Sequence, residues 1–400
     1  MIKVKVHSKA LDSTVEISRV IGHVKGSKNG PTLIFMGGIH GNEPAGVFAL
    51  KRVFEQIGSG KVRGSVYGIA GNLWALKYGE RYHKEDLNRL WTVNNMANLP
   101  EKGQPTIHQD QTEQVEINAL IQQIIDQEEG PFYFFDMHTT SSETLPFLTV
   151  NDSLLNRNFT IQYPLPIILG IEEYLNGPIL SYINELGYVA FGFEAGQHDD
   201  MASIENCISF IYLSMVYSGC INKDHCEYQH HHDILAKTTG DVRHIYEIYF
   251  RYAIQEGEDF HMIPGFYNFQ RLKRHQHVAE SNGNPIRAEN DGRIFMPLYQ
   301  PKGEDGFFTI KKIWSPFLKI SEVIRKYRLD RLLVYLPGVK WIDHNKSGLL
   351  VNKQIARFMA KDFFHLFGYR YAYVDQNHFK MFNREAFARH EEYQNEPWFS

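Results

Sequence analysis

The sequence predicts an α/β fold for roughly the first 220 residues, because short apolar runs alternate there with amphipathic helical patterns. Four runs have the length of buried strands and end at glycine or a polar cluster, at residues 32–36, 65–70, 132–135 and 188–193. Helical patterns accompany them near residues 115–126 and 201–217. In such sheets the loops at the carboxyl ends of the strands usually carry the functional groups, so we look for a site in these loops.

The first unit of this fold is a strand, a glycine turn and a helix. Residues 32–36 form an apolar run that ends at Gly37 and Gly38, as expected for a buried strand that opens into a tight turn. Asn42 is the predicted N-cap, Pro44 suits the first helical turn, and the helix presents one apolar face through Val47, Leu50, Phe54 and Ile57. The loop between this strand and this helix is therefore short.

The character of the sequence changes twice, which predicts three domains. Residues 1–224 form the α/β domain, residues 225–312 a small β domain, and residues 313–400 a C-terminal extension. Within the β domain, turn-rich segments separate two apolar runs at 291–297 and 306–310. We expect these two runs to pair as strands.

The C-terminal extension is predicted to be a mixed helical segment of unknown role. Asn352 is expected to cap a helix, and Gly368 follows the end of that helix. The predicted helix carries a broad apolar stripe of Ile355, Phe358, Met359, Phe363, Leu366 and Phe367.

Composition excludes several classes of partner. Lys and Arg number 42 against 46 Asp and Glu, which gives a net charge of −4 and predicts no basic surface for nucleic acid or anionic lipid. The three cysteines lack C-x-x-C spacing, as expected for reduced thiols in the cytoplasm. Residues 1–8 resemble a strand rather than a secretory signal, and no apolar run reaches the ~20 residues of a membrane span. We therefore expect a soluble cytoplasmic protein that binds neither nucleic acid nor membranes.

The first chemically informative segment is Gly37–Gly46, which places His40 three residues before Glu43 at a strand-to-helix turn. Zinc accepts imidazole nitrogen and carboxylate oxygen, and catalytic zinc usually has three protein ligands and an open position. His138 is the best third ligand because it directly follows an apolar strand, and Asp136 is placed to orient its imidazole. The alternative is that His40 and Glu43 form only a surface pair at a helix start.

Four motifs together resemble the succinylglutamate desuccinylase/aspartoacylase family of zinc carboxypeptidase-like amidohydrolases. They are Gly38-Ile-His-Gly-Asn-Glu43, Arg81-Tyr-His-Lys-Glu-Asp-Leu-Asn-Arg89, Asp136-Met-His-Thr-Thr140 and Gly192-Phe-Glu-Ala-Gly-Gln197. Their order and separations are similar to those of the family over about residues 30–310. The resemblance implies a mixed, largely parallel sheet with helices on both faces. It also implies a hydrolase of linear amides in which residues 225–312 cover the site of the first domain.

The resemblance assigns the metal centre and the general base. It implies one zinc ion per chain, held by His40, Glu43 and His138. It further implies that Glu194 takes a proton from the attacking water and hands it to the leaving nitrogen. Outside this set of motifs, Glu194 would be interpreted only as the cap of a following helix.

Three residues of the second motif are implied to act on the substrate. Arg81 matches the arginine that polarises the scissile carbonyl and stabilises its oxyanion, an interaction worth about 3–4 kcal/mol. Arg89 and Asn88 would hold a substrate carboxylate, since the planar guanidinium can form two parallel hydrogen bonds to it. The alternative for both arginines is a solvated loop charge.

One departure from the family pattern bears on the substrate. Aspartoacylases carry an arginine ten positions before the general base, and Asn184 stands at that position here, which argues against N-acetylaspartate. A second substrate carboxylate would have to meet another cation, for which Lys302 and Arg293 of the β domain are the candidates. The stretch Lys302–Phe308 also lacks the tyrosine that aspartoacylases contribute from this neighbourhood.

The predicted activity is zinc-dependent hydrolysis of the amide bond of a small N-acyl amino acid or a related carboxylate. One alternative is a metallocarboxypeptidase that acts on peptides, which an open groove beside the metal would favour. Another is a catalytically silent metal-binding scaffold whose C-terminal extension recruits a partner. The complete set of ligands, base and arginines argues against the silent scaffold. A homo-oligomer is compatible with the sequence.

Overall fold

The structure is a computed structural model that describes residues 2–344, 346–352, 361–373 and 378–399. Within these ranges the strands are β1 (Val4–Ser8), β2 (Ser13–Ile17), β3 (Val20–Lys25), β4 (Lys28–Gly37), β5 (Arg63–Ala70), β6 (Phe132–Thr140), β7 (Phe147–Val150), β8 (Ile167–Leu169), β9 (Val189–Gln197), β10 (Ile245–Ala253), β11 (Phe260–Met262), β12 (Arg271–Leu272), β13 (His277–Ser281), β14 (Asn284–Arg287), β15 (Gly292–Phe295), β16 (Asp305–Lys312), β17 (Val339–Trp341), β18 (Gly348–Asn352), β19 (Tyr369–Tyr373) and β20 (His378–Asn383). The α-helices are α1 (Ala45–Gln56), α2 (Leu73–Tyr78), α3 (Val93–Ala97), α4 (Gln109–Gln127), α5 (Leu154–Thr160), α6 (Ile179–Glu185), α7 (Met201–Tyr217), α8 (Tyr228–Lys237), α9 (Ser315–Lys326), α10 (Lys361–Leu366) and α11 (His390–Tyr393).

One eleven-stranded sheet organises most of the chain, with the order β12-β15-β16-β10-β8-β7-β9-β6-β4-β5-β3. The four adjacent strands β5, β4, β6 and β9 run parallel. At the other end of the sheet, β10, β16, β15 and β12 pair antiparallel. The predicted mixed sheet is therefore confirmed, and its parallel part contains β4, β6 and β9, which lead into three of the four motifs.

Helices cover both faces of the parallel part because its strands are apolar on both sides. Successive residues of a strand point to opposite faces, so Leu33 and Phe35 of β4 pack with α1 and α7. Ile34 and Met36 of the same strand pack on the other face with α4 and α6. A strand buried on both faces is fixed in position, so the loop that follows it is held at a defined place.

The structure confirms the predicted secondary structure of the first domain with one shift. The predicted strands and helices correspond to β4, β5, β6, β9, α1, α4 and α7. Helix α1 begins at Ala45, and its N-cap position is Pro44 rather than Asn42. The side-chain amide of Asn42 instead donates to Gln300. Asn42 thus forms a tertiary hydrogen bond and does not cap the helix, although its residue type favours capping.

The predicted strand pair of the β domain is also present, as β15 and β16. These strands belong to the same sheet as β4 and β6, because β10 pairs with β8 on one side and with β16 on the other. The central sheet thus runs across the proposed boundary between residues 224 and 225. The domain limits themselves stay a prediction.

The prediction of a mixed helical extension over 313–400 is corrected by a four-stranded antiparallel sheet, in the order β17-β18-β20-β19. Leu349, Val351 and Met381 lie in its small core, where period-two burial favours strands over a helix. The predicted helix after Asn352 falls partly on residues 353–360, which lie outside the described residues. Its last part corresponds to α10, which Gly368 follows with a φ of +83°.

A buried ionic network joins this extension to the first domain. The Arg325 side chain is fully buried, and its guanidinium donates to the Oδ2 and the backbone oxygen of Asp152 at 2.8 Å. Arg384 donates to Glu172 at 2.9 Å and to Glu173 at 2.5 Å. Charges that are removed from water need such partners, so the extension is anchored by specific contacts rather than by apolar packing alone.

No helix within the described ranges has the length and apolar character required to cross a membrane. Cys207, Cys220 and Cys226 are free thiols, as the sequence predicts. The cytoplasmic location stays a prediction.

Candidate metal centre and substrate pocket

Three parallel strands carry the predicted site to one edge of the sheet. β4 ends at Gly37, and Gly38 has a φ of +74°, a conformation that favours glycine and turns the chain sharply towards His40. On β6 and β9, His138 and Glu194 are direct neighbours in the parallel register. Because side chains at matching positions of adjacent strands point to the same face, these two groups converge on the loop after β4.

His40, Glu43 and His138 lie close enough to share one ion. Their candidate ligand atoms are all within 4.8 Å of one another, and the residues are 3 %, 3 % and 9 % exposed. The Nδ1 atoms of the two imidazoles lie 3.0 and 3.1 Å from the two oxygens of the Glu43 carboxylate. Two nitrogens and a carboxylate oxygen in a buried cluster form a donor set that suits zinc.

A second carboxylate orients each imidazole from behind. Asp136 Oδ2 lies 2.8 Å from Nε2 of His138, as the sequence analysis predicted. Asp86 Oδ1 lies 3.1 Å from Nε2 of His40, a contact that sequence reasoning missed although Asp86 lies inside the second motif. Carboxylates in this position fix the ring and increase the basicity of a metal-binding imidazole. The set of contacts therefore fits a metal centre better than a surface pair.

The charges of the cluster also suit a cation. Burial raises the pKa of the Glu43 carboxyl, but the imidazoles of His40 and His138 outweigh burial and hold this pKa well below its usual range. Burial likewise raises the pKa of Asp86, and His40 and Arg81 outweigh it, so the pKa lies below its usual range. Both carboxylates are thus negatively charged at neutral pH. Buried negative charge favours a cation beside it.

Glu194 is placed differently from the other carboxylates. It is 6 % exposed, and among the described residues its Oε2 atom has no hydrogen-bond partner. Burial raises the pKa of Glu194 to about 8; Glu43 and Asp136 add to this effect, whereas His138 and Arg81 oppose it. A buried carboxyl with a raised pKa and a free oxygen is the kind of group that exchanges protons near neutral pH.

Arg81 bridges the metal cluster and the outer carboxylate. Its Nη1 donates to Glu43 at 3.1 Å and its Nη2 to Asp86 at 3.3 Å. The remaining Nε–H is buried and has no acceptor among the described residues. Arg81 is therefore a fixed cation beside the cluster rather than the solvated loop charge of the alternative interpretation.

Asn88 and Arg89 lie in the same pocket, with different freedom to bind a ligand. The Asn88 Oδ1 accepts from the backbone of Ile179 at 3.0 Å, which directs its amide nitrogen away from that contact. Arg89 donates to the Asn88 backbone, and its Nη2 lies 3.5 Å from Asp305 on β16. Asp305 also accepts from Arg251 at 2.5 Å, so the guanidinium of Arg89 shares its acidic neighbour with a second arginine.

The pocket above the cluster combines one polar end with an apolar wall. Arg81 and Arg89 are the only lysine or arginine side chains among its described lining residues. Its apolar lining consists of Ile171, Leu175, Pro178, Leu180, Met296, Pro297, Leu298 and Phe308. Residues 296–305 contribute to the lining, so the segment between β15 and β16 borders the pocket.

The candidates for a second carboxylate-binding cation do not line this pocket. Lys302 points to Glu80 and to the backbone oxygen of Tyr82, at 3.3 and 3.2 Å. Arg293 donates to the backbone of Phe269 and borders other cavities. Asn184 donates to backbone oxygens outside the pocket. Within the described chain, no further cation replaces the arginine that is absent at position 184.

A polar relay at the pocket edge was not predicted. Thr139 Oγ1 lies 2.8 Å from Nδ1 of His198, and Nε2 of His198 lies 3.2 Å from Oε1 of Gln300. Asn42 donates to the same Gln300 oxygen at 3.1 Å. The relay joins residues far apart in the chain and follows no local pattern, so the sequence offered no signal for it.

Comparisons with known proteins agree with the four motifs. The profile of the succinylglutamate desuccinylase/aspartoacylase catalytic domain matches residues 29–201. The succinylglutamate desuccinylase of Pseudomonas aeruginosa is 30 % identical over 113 residues, which are 28 % of this chain and 32 % of that protein. That of Pseudomonas fluorescens is 38 % identical over 73 residues, 18 % and 22 % of the two chains. These matches span about a fifth to a third of the length of the curated relatives.

Solved structures show that the fold is shared more widely than the sequence. The succinylglutamate desuccinylase/aspartoacylase from Rhodobacter sphaeroides superposes with a TM-score of 0.56 at 16 % identity, covering 78 % of this chain and 95 % of that one. A product-bound ectoine utilization protein from Ruegeria pomeroyi gives a TM-score of 0.53 at 16 % identity, covering 78 % and 93 % of the two chains.

Proposed function

Residues 29–201 belong to the succinylglutamate desuccinylase/aspartoacylase catalytic-domain family, and on that premise we propose that the protein is a zinc-dependent hydrolase of small N-acyl amino acids. The observation that carries the proposal is the buried His40, Glu43 and His138 cluster in one pocket with Glu194. A hydrolase of this type needs a cation, a proton acceptor and a group that orients the substrate. The pocket contains a candidate for each of these roles.

His40, Glu43 and His138 would hold the zinc ion, one per chain. When bound, zinc would polarise a carbonyl and lower the pKa of a water molecule towards about 7. Asp136 and Asp86 would keep the two imidazoles oriented through their Nε2 atoms. The alternative of an isolated surface pair is disfavoured because all three ligands are buried.

Glu194 would act as the general base and then as the general acid. The metal-free protein raises its pKa to about 8, and a bound dication would lower this pKa again by direct attraction. Glu194 can then accept a proton from water through its unpaired Oε2 and deliver it to the leaving nitrogen. A group that is protonated and deprotonated in one cycle works best with a pKa near the working pH.

Arg81 would stabilise the oxyanion that develops on the scissile carbonyl. Its guanidinium is held in place by Glu43 and Asp86, so little rearrangement is needed when the charge appears. Asn88 and Arg89 would hold the substrate carboxylate at the polar end of the pocket. Asp305 partly neutralises the charge of Arg89. Arg89 is therefore suited to bind one carboxylate rather than several.

The lining of the pocket supports a substrate with a single carboxylate. The only lysine or arginine side chains among the described lining residues are Arg81 and Arg89, and the first of these is assigned to the carbonyl. A second carboxylate would therefore meet neutral side chains, such as the hydroxyls of Thr140 and Ser142 or the apolar wall, or would lie near Glu304 and Asp305. Burying an unpaired charge is unfavourable, so N-acetyl derivatives of neutral amino acids are the proposed substrates.

A peptidase is the less favoured alternative. Met296, Pro297 and Leu298 border the pocket and restrict it on the side of the β15–β16 region. A long peptide would need an open groove beside the metal centre. The restricted pocket instead favours small molecules.

The function is tested by assaying the zinc-loaded full chain on N-acetyl-leucine, N-acetylaspartate and N-succinylglutamate, following release of the free amine. We expect N-acetyl-leucine to have the highest kcat/KM, at least about tenfold above the others, because each extra carboxylate lacks a cation. Lys302→Ala is the matched control, since Lys302 lies outside the pocket and should leave this order unchanged. A preference for N-acetylaspartate would refute the single-carboxylate proposal, and no hydrolysis of any of the three would refute the deacylase proposal.

A further inference from the structure

Helix α9 has one side that packs on the rest of the protein and one apolar side that faces solvent. The packed side contains the buried polar residues Ser321 and Arg325 and the partly buried Leu318, which packs against the main hydrophobic core. Ser321 donates to the backbone oxygen of Leu366, and Arg325 is paired with Asp152. The second, apolar side of the helix is left towards solvent.

The exposed face of α9 is an apolar stripe formed by Pro316, Ile320, Val323 and Tyr327. These positions are spaced by four, three and four residues, so they lie on one side of the helix and at its C-cap. Ile320 and Val323 are about half exposed, at 49 % and 52 %, and Tyr327 is 70 % exposed. An apolar stripe of this kind normally faces a core.

The 3₁₀-helix Leu329–Tyr335 extends this stripe. In a 3₁₀-helix, residues three apart lie on the same side. Asp330 and Leu333 are buried, whereas Leu329, Leu332 and Tyr335 are exposed on the next side. The 3₁₀-helix contacts α9, and Leu329 is two residues from Tyr327, so the two stripes lie close together.

The amount of exposed apolar surface is that of an interface. The exposed side chains of both stripes present on the order of 600–700 Å² of apolar surface per chain. The largest apolar patch of a typical monomer is about 300–600 Å². A stable interface buries about 800 Å² per partner, a little more than half of it apolar. The stripes are therefore large enough for a stable dimer.

We propose that this surface binds a second copy of the chain, with the two α9 helices antiparallel about a two-fold axis. The stripe is symmetric about the midpoint between residues 321 and 322. Antiparallel pairing at this point sets Ile320 against Val323 of the second copy and Pro316 against Tyr327. A self-complementary apolar pattern is what an isologous interface requires.

The charges beside the stripe fit the same arrangement. Lys319 and Glu322 lie three residues apart on one flank of the helix. In the antiparallel pair, Glu322 of each copy is offset by about 3 Å along the axis from Lys319 of the other. Opposite charges thus meet at the rim, where an exposed pair adds specificity at small energetic gain.

The test is sedimentation velocity of the full chain at micromolar concentration. We expect a dimer for the unaltered protein, and at least about a 100-fold weaker association for Ile320→Glu/Val323→Glu, because each change would bury an unpaired charge. Val93→Glu/Ile107→Glu is the matched control: both residues are more exposed than Ile320 and lie on the first domain, so this variant should remain dimeric. The melting temperature of each variant checks that it is folded.

A charge exchange tests the proposed geometry separately. Glu322→Lys should weaken the dimer by about three- to tenfold, and Lys319→Glu/Glu322→Lys should restore it.

A monomeric unaltered protein would overturn the proposal, and its flotation with anionic vesicles would point to a lipid surface as the occupant. A dimer that survives Ile320→Glu/Val323→Glu would overturn it too, because association would then use another surface.

Discussion

Glu194→Gln is expected to lower kcat by about two to four orders of magnitude while zinc stays bound. The amide has nearly the shape of the carboxyl but cannot accept the proton of the attacking water. Glu194 is not one of the three clustered ligands, so its replacement leaves the metal donor set intact. The measurement combines steady-state kinetics on N-acetyl-leucine with zinc content per chain.

A matched control for this variant is Glu55→Gln, an exposed glutamate on α1 that pairs with Lys51. It should leave both kcat and zinc content unchanged. If Glu194→Gln kept at least a tenth of the activity, the general base would have to be another group. Loss of zinc together with activity would instead mean that Glu194 helps to hold the ion.

Arg325→Ala is expected to lower the free energy of unfolding by about 3–5 kcal/mol. The guanidinium is fully buried and satisfies Asp152, so its removal leaves a buried carboxylate with one cationic partner fewer. Two backbone oxygens, of Asp152 and His365, also lose their donor. Denaturant unfolding of the zinc-loaded protein measures the change. Lys326→Ala on the same helix turn is the matched control, since Lys326 is exposed.

The pH dependence of this effect has a defined sign. Burial raises the pKa of Asp152, but Arg157, Arg325 and Arg384 outweigh burial and hold it below the usual value of about 4. A carboxyl whose folded pKa is depressed contributes stability above its unfolded pKa and loses that contribution as the pH falls. The stability difference between the unaltered protein and Arg325→Ala should therefore narrow below about pH 4. A constant difference from pH 7 to about pH 3 would show that the ion pair is not its source.

The central part of the fold and the metal cluster could be predicted from sequence because both depend on local signals. The apolar runs that stop at Gly37 and at Asp136 indicate β4 and β6, and the carboxyl ends of parallel strands in one sheet lie at the same edge. His40 and Glu43 are brought together by three residues of chain, and Asp136 and His138 by two. The pairing of strands then supplies the one long-range contact that the site needs.

The remaining features depend on contacts that no local pattern encodes. Asp305 lies more than two hundred residues after Arg89, and Gln300 reaches His198 only through the tertiary fold. The same holds for α9, where Arg325 pairs with Asp152 across 173 residues of chain.

We expect one zinc ion to join the loop after β4 to the end of β6, and the zinc content of the protein tests this expectation. Protein stripped with a chelator, reloaded with zinc and desalted is analysed for metal per chain. We expect one zinc per chain in the unaltered protein and much less than one in His138→Ala, while His230→Ala on the exposed side of α8 retains one. Full zinc content in His138→Ala, or none in the unaltered protein, would show that these three residues do not form the proposed zinc site.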